Sequence, residues 1–339
     1  MSRGLATLRG MAARPHFQKL VEKIRMQPPL PAAVVYPCDR ESVQLAMSGA
    51  FAGYLAPTLV GPETRIRDLA GKAGLDISRL SIVDTEDDPR TAGLRAAEMA
   101  REGKVSALIK GSLGNEDLLA PVAAQDSGLR TERRLSHAYF LDLPGIPRGL
   151  LLADAQLNVA PNLAAKKDIV QNTIQLAISL GIAAPNVALL AAMDGPAPAF
   201  PSTTDAVALK TMATQGMFRG AIIDGPLTPD SALSGEAARQ NGVTSEVAGR
   251  VDVLIAPSME SALMVLRTLM AFNSGLAAGI VLGARIPIVI PARNDSMEVR
   301  MASCVLASLC VSAAGEAAAS QAQAAGSSIV AEANSKVAA

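Results

Sequence analysis

The stretch 286-IPIVIPARNDSMEVR-300 changes character halfway along. Ile286, Ile288, Val289 and Ile290 form a continuous β-branched run, and Pro291 stops it. Asp295 and Ser296 then suit a helix N-cap, with Glu298 in the first turn. A strand that is apolar throughout, rather than at alternate positions, belongs to a parallel sheet covered on both faces. Arg293, Asn294, Asp295 and Ser296 therefore sit just past the carboxyl end of a buried strand, where open α/β sheets bind ligands.

The same strand-then-helix rhythm recurs upstream. Strands are expected over 32–36, 58–60, 80–83 and 106–109, and helices over 41–51 and 90–101. Phe17, Leu20, Val21 and Ile24 fall at helical spacing and predict a first amphipathic helix. Near residue 135 the rhythm changes. Segments 136–143 and 149–153 flank Pro144-Gly145 and suit an antiparallel pair. A long helix over 166–180 and strands over 187–192, 220–223 and 251–255 follow, then a pair over 278–282 and 286–290 joined at Gly283-Ala284. The Ala-, Ser- and Gln-rich tail after Val311 is expected to continue a helix and then fray.

Each strand end carries polar residues with two readings. Lys110-Gly111-Ser112 is either an anion-binding turn or an ordinary strand–helix turn, and the P-loop spacing is missing. Asp154 and Asn158 face substrate or brace a loop, and Asp224 lines a cleft or caps its Gly-Pro turn. Arg133 and Arg134 bind phosphate or belong to a solvated charge run. Arg293 and Asp295 form either a fixed cation beside a carboxylate or an exposed arginine beside a helix cap.

Composition narrows the function. The 339 residues suffice for two domains, and half of them are hydrophobic. Thirty-one basic and 31 acidic residues cancel, and tryptophan is absent, so nucleic-acid and anionic-membrane partners have no support. Two histidines argue against a histidine-rich metal centre, and three cysteines suit a reducing cytosol better than a disulfide framework. The basic start reads as a loose arm or, less simply, a transit peptide. No apolar run reaches membrane-span length, since 275–292 is broken by Arg285 and two prolines.

Seven blocks in order resemble the phosphate acetyltransferase and phosphate butyryltransferase family over roughly residues 16–313. They are LIKGSL (108–113), GLRTERRLSHAYFLDLPG (128–145), LLADAQLNVAPNLAAKKDIVQNTIQLAISLGI (151–182), FPSTTDAVALKTM (200–212), IIDGPLTPDSALS (222–234), TSEVAGRVDVLIAPSMESALM (244–264) and IPIVIPARNDSMEVRMAS (286–303). The resemblance implies a two-domain α/β fold like that of isocitrate and isopropylmalate dehydrogenases, with a parallel-rich sheet in each domain and a cleft between them. The expected division is an arm over 1–15, a first domain over 16–134 plus 293–339, and an inserted domain over 135–292.

The implied reaction is acyl-CoA plus phosphate giving acyl phosphate plus CoA, with no cofactor and no metal, in a cytoplasmic homodimer. The family's strand ends in Ser-Arg, and the arginine holds phosphate and the reacting carbonyl. Arg293 matches that arginine, whereas Ala292 stands at the serine position. Acetyl-type members carry a carboxylate six residues beyond the arginine, where this chain has Val299; butyryl-type members carry one two residues beyond, matching Asp295. Asp295 is therefore the favoured base and Glu298 its competitor. Lys110, Gly111, Ser112, Arg133, Arg134, Asp154, Asn158, Asp224 and Ser296 are the expected substrate-binding residues. Two rivals remain: a metal-dependent dehydrogenase using aspartates such as Asp205, Asp224 and Asp295, and a non-catalytic member of the family.

Overall fold

The computed structural model of the chain describes residues 14–272 and 274–337, and all but the last two residues of the expected amino-terminal arm lie outside them. The first part alternates α1 (Pro15–Ile24), β1 (Leu30–Val35), α2 (Arg40–Phe51), β2 (Leu55–Gly61), α3 (Glu63–Ala73), β3 (Ser81–Asp84), α4 (Pro89–Arg101), β4 (Ala107–Lys110) and α5 (Asn115–Ala123). Then follow β5 (Ser136–Asp142), β6 (Leu150–Ala153), α6 (Leu163–Ser179), β7 (Asn186–Leu190), α7 (Pro201–Thr214) and β8 (Ile222–Leu227). The short helices α8 (Pro229–Leu233) and α9 (Gly235–Gln240) lead to β9 (Val253–Ile255), α10 (Met259–Phe272), β10 (Leu276–Leu282), β11 (Ile288–Val289) and α11 (Met297–Val337).

Local chemistry explains the helix starts. Asp39, Asp88 and Asn162 accept hydrogen bonds from the backbone amides of Ser42, Thr91 and Ala165 and so cap α2, α4 and α6. The cap of α1 comes from far along the chain: Oδ2 of buried Asp142 accepts the amides of His16 at 2.9 Å and Phe17 at 2.8 Å. Phe17, Leu20, Val21 and Ile24 are buried, as the helical spacing predicts.

The strands form one mixed sheet in the order β3-β2-β1-β4-β11-β10-β5-β6-β9-β7-β8. The block β3-β2-β1-β4-β11 is parallel throughout, and so is β6-β9-β7-β8. Between them, β10 is antiparallel to β11 and β5, and β5 is antiparallel to β6. The two parallel blocks therefore run in opposite directions. An edge shared by all the strand carboxyl ends, as a single parallel sheet would have, does not exist. Ala153 pairs with Ala138 and Ala138 with Ile280, whose neighbour Val281 pairs with Ile288, so the carboxyl ends of the two blocks come to one level of the sheet from opposite directions. Strand β11, expected in the inserted segment, pairs with β4 of the first block.

The amino-terminal part of α11, Met297–Ala317, is long and apolar enough to cross a membrane by length and composition, a property that inspection of the sequence for apolar runs misses. In the fold it is a core helix. Ala302, Cys304, Val305, Leu306 and Ala307 are fully buried, and the helix packs on β10, α1, α2 and α6. The backbone of α11 is helical to Val337, so the tail continues the helix as expected, and its last two residues lie outside the described ones.

Candidate active site

Strands β4 and β11 lie side by side with Leu108 opposite Ile288 and Ile109 opposite Val289. Their carboxyl ends are therefore level, and Val35 of β1 flanks Lys110 on the other side. Beyond β4 the chain hugs β1. The amide of Gly111 donates to Val35 O at 2.9 Å, and that of Ser112 to Tyr36 O at 2.8 Å. A Cβ at Gly111 would sit 2.5 Å from Val35 O and 2.6 Å from Tyr36 O, so only glycine fits this approach. Tyr36 itself has a φ of 51°, a left-handed conformation that costs a non-glycine residue energy and recurs at functional sites.

Beyond β11 the chain makes a tight turn. The Ala292 amide donates to Oδ2 of Asp295 at 2.7 Å, and the Asp295 amide returns to Ala292 O at 3.2 Å. Arg300 of α11 reaches back beneath the turn. Its Nε donates to Asp295 O at 3.1 Å, and its Nη2 to Ala292 O at 2.9 Å and Arg293 O at 3.4 Å. Oγ of Ser296 accepts the Val299 amide at 3.3 Å, so Ser296 is the helix cap. The cap role expected of Asp295 instead becomes a brace across the turn. Arg293 projects into solvent and makes no ion pair among the described residues. Oε1 of Glu298 is buried without a hydrogen-bond partner.

The electrostatics follow from this packing. Burial pushes Lys110 below the usual lysine range, and the guanidinium groups of Arg293 and Arg300 push it further; Asp39 opposes them. Three cations thus converge where β4 and β11 end. Burial pushes the Asp295 carboxyl up, against the Ala292 amide and the Arg300 charge, which pull it down. On β5, burial raises the Tyr139 phenol, Asp295 adds to the shift, and Gln156 and Arg267 oppose it. Gln156, on the loop after β6, donates its side-chain amide to the Tyr139 hydroxyl. The phenol therefore takes a hydrogen bond from the β6 loop and feels the charge of Asp295 in the 292–296 turn.

The fold brings Lys110, Gly111, Ser112, Arg293, Asp295, Ser296 and Glu298 to one sheet edge. Asp154 and Asn158 lie on the β6 loop but are occupied there. The buried carboxylate of Asp154 accepts the Gln156 and Leu157 amides at 3.0 and 3.1 Å and Nδ2 of Asn158 at 2.6 Å. Nδ2 of Asn158 also donates to Leu135 O at 2.9 Å.

Arg133, Arg134 and Asp224 are not brought to the cluster. Both arginines precede β5, whose amino end lies at the opposite sheet edge. That places them roughly 20 Å from the 292–296 turn, counting about 3.3 Å per residue of strand. Asp224 is on β8, the far edge strand, where it pairs with Lys210 at 2.5 Å and accepts the Gly225 amide at 2.8 Å. Asp205 pairs with buried Lys166 at 2.6 Å, so two of the aspartates weighed as metal ligands are engaged by lysines.

Arg300, Tyr139 and Gln156 escape a reading by strand ends, because none of them lies at the end of a strand in the Arg293 block. One signal was available for Arg300: it is a lone cation in the apolar run of α11, and a buried arginine needs partners.

Comparisons with known proteins give the family. Residues 90–308 match the family described as "Phosphate acetyl/butaryl transferase". A phosphate acetyltransferase of Rhizobium meliloti is 41% identical over 293 residues, which are 86% of this chain and 92% of the relative. A phosphate butyryltransferase of Clostridium acetobutylicum is 34% identical over 293 residues, 86% of this chain and 97% of the relative. Among solved structures, a branched-chain phosphotransacylase from Enterococcus faecalis shares the fold with a TM-score of 0.73 at 24% identity, covering 83% of this chain and 99% of that one. A 4-hydroxythreonine-4-phosphate dehydrogenase from Klebsiella pneumoniae shares it more loosely, with a TM-score of 0.52 at 14% identity over 84% of this chain and 99% of that one. With a family match over most of its length and relatives above 30% identity spanning nearly all of theirs, this chain belongs to the phosphate acetyl/butyryl transferase family.

Proposed function

We propose that the protein transfers a short acyl group between coenzyme A and inorganic phosphate, with the reaction centred on the 292–296 turn. The observation that carries this is the level carboxyl ends of β4 and β11, which bring Lys110 beside the turn that holds Arg293, Asp295 and the Arg300 guanidinium. Phosphate is held by the free guanidinium of Arg293, which offers two parallel hydrogen bonds, and by Lys110. A phosphate oxygen attacks the thioester carbon, the negative charge that builds on the carbonyl oxygen faces the same cations, and the C–S bond then breaks. Free CoA leaves with a proton, and in the reverse direction its thiol, with a reference pKa of about 8.5, gives that proton up. Asp295 serves as donor and acceptor, and a carboxyl raised by burial suits both roles. No acyl-cysteine is required. Burial pushes Cys38 up to about 11 and Cys304 up to about 12, which leaves neither thiol nucleophilic near neutral pH.

A two-domain arrangement with the reaction between the blocks is supported by the carboxyl ends of β11 and β6, which come to one level of the sheet from opposite directions. A homodimer is supported by α10, an apolar helix whose Met264 and Phe272 are 66% and 85% exposed. The free cysteines fit a reducing, cytoplasmic setting.

The test is CoA release from acetyl-CoA and butyryl-CoA with and without phosphate. Phosphate-dependent release from either thioester is the expected result. Absence of release from both would overturn the assignment and favour a non-catalytic member of the family.

A further inference from the structure

Arg300 is only 7% exposed, yet it makes no ion pair among the described residues. Its partners are three backbone carbonyls, those of Ala292, Arg293 and Asp295. All three belong to one turn, the turn that presents Arg293 and Asp295. From the other side, the Asp295 carboxylate closes the same turn on the Ala292 amide. The turn is therefore held by two clamps, and one of them is a buried, charged fork. Neutral carbonyls satisfy the guanidinium's N–H groups without cancelling its charge. That charge remains available to the groups around it, and Lys110 and Asp295 both respond to it.

We propose that Arg300 is a positioning residue for acyl transfer: its guanidinium fixes the 292–296 turn so that the Arg293 side chain and the Asp295 carboxyl meet phosphate and thioester together. The inference rests on the phosphate-transfer reading of the site. Lysine cannot replace arginine here. An ammonium is a single point charge and cannot reproduce a planar fork that addresses three carbonyls from two nitrogens. A loosened turn displaces both reacting groups, and a misplacement of about 1 Å costs on the order of 100-fold in rate.

The charge has a separate consequence for pH. The groups facing Asp295 are Arg300 of α11, Tyr139 of β5 and, through the phenol, Arg267 of α10. Arg293 and Glu298 stand beside it on its own segment, and Lys110 of β4, itself facing Asp39, completes the surroundings. Burial raises the Asp295 carboxyl and Arg300 lowers it. Removing the cation leaves only the Ala292 amide to oppose burial, so Asp295 stays protonated to higher pH. The acid limb of the pH–rate profile should move to higher pH in Arg300→Gln and stay in place in Arg300→Lys.

The experiment compares wild type, Arg300→Lys and Arg300→Gln by phosphate-dependent CoA release across pH, and by the rise in melting temperature that phosphate produces. The expected result is a kcat lowered about 100-fold in both variants. KM for phosphate should rise and the stabilisation by phosphate should weaken in both, with the acid limb displaced in Arg300→Gln alone. If Arg300→Gln does not fold, Arg300→Lys decides through kcat, KM and phosphate stabilisation. Wild-type values of all three in a folded Arg300→Lys would overturn the inference. If wild type releases no CoA, the reaction assignment fails instead. Positioning by Arg300 then stands if phosphate stabilises wild type but not Arg300→Lys, and falls if it stabilises both equally or neither.

Discussion

Oδ2 of Asp295 accepts the backbone amide of Ala292 at 2.7 Å, which ties the candidate acid–base group to the residue just before Arg293. One carboxylate thus braces the turn and remains half-buried beside the cations. An asparagine at 295 keeps an oxygen for the Ala292 amide but cannot carry the proton. Asp295→Asn should therefore lower kcat by about 10²–10⁴-fold with little change in melting temperature. Glu298→Gln should change kcat far less. Steady-state kinetics of the two variants checks the ranking, and the reverse order would transfer the proton role to Glu298.

Arg293 is exposed and makes no ion pair among the described residues, so its replacement disturbs no packing. Arg293→Lys should leave stability within about 0.5 kcal/mol of wild type. It should raise KM for phosphate by about tenfold or more, because the bidentate geometry is lost while the charge stays. Unchanged phosphate kinetics would remove Arg293 from the site.

Asp142 holds the first two free amides of α1 from a position 125 residues away. Asp142→Ala leaves the His16 and Phe17 amides without their acceptor and should cost about 1–3 kcal/mol. Denaturant melts measure this, and an unchanged unfolding free energy would show that other acceptors serve these amides.

His137 is fully buried, neither ring nitrogen has a hydrogen-bond partner, and burial pushes its pKa down to about 3. The folded protein therefore keeps it neutral where the unfolded chain, with a reference pKa of about 6.5, takes up a proton. Its contribution to stability is complete above about pH 6.5 and is lost as pH falls toward 3, at up to about 1.4 kcal/mol per pH unit. His137→Leu should flatten the dependence of unfolding free energy on pH between about 4.5 and 6.5. An unchanged slope in the variant would show that other groups set it.

Met264 and Phe272 leave a large apolar surface on α10. Met264→Glu should shift the mass in solution from dimer to monomer, as read by light scattering. A wild-type mass that is already monomeric, or a variant that stays dimeric, would remove α10 as the interface.

Local patterns in the sequence determined the elements. The apolar spacing of Phe17, Leu20, Val21 and Ile24 dictates α1, because residues three and four apart share a helix face. The unbroken apolar runs ending at Lys110 and Ile290 dictate strands buried on both faces. The glycine at 111 marks a close backbone approach, and Ser296 marks a helix start. The juxtaposition of Lys110 with Arg293 was legible too, since both follow strands of one parallel block.

Tertiary structure alone decided which strand ends share an edge. A strand's direction leaves no trace in its own residues; it depends on which neighbours it pairs with across the sheet. The antiparallel strands β10 and β5 reverse the second block, so the ends of β6, β9 and β8 point against those of β4 and β11; Asp224 is left on the far edge strand, and Arg133 and Arg134 at the amino end of β5. The same holds for Arg300 and Tyr139. Nothing in their local pattern distinguishes them from core or surface residues, because a side chain's partners are set by the three-dimensional path of the backbone that surrounds it.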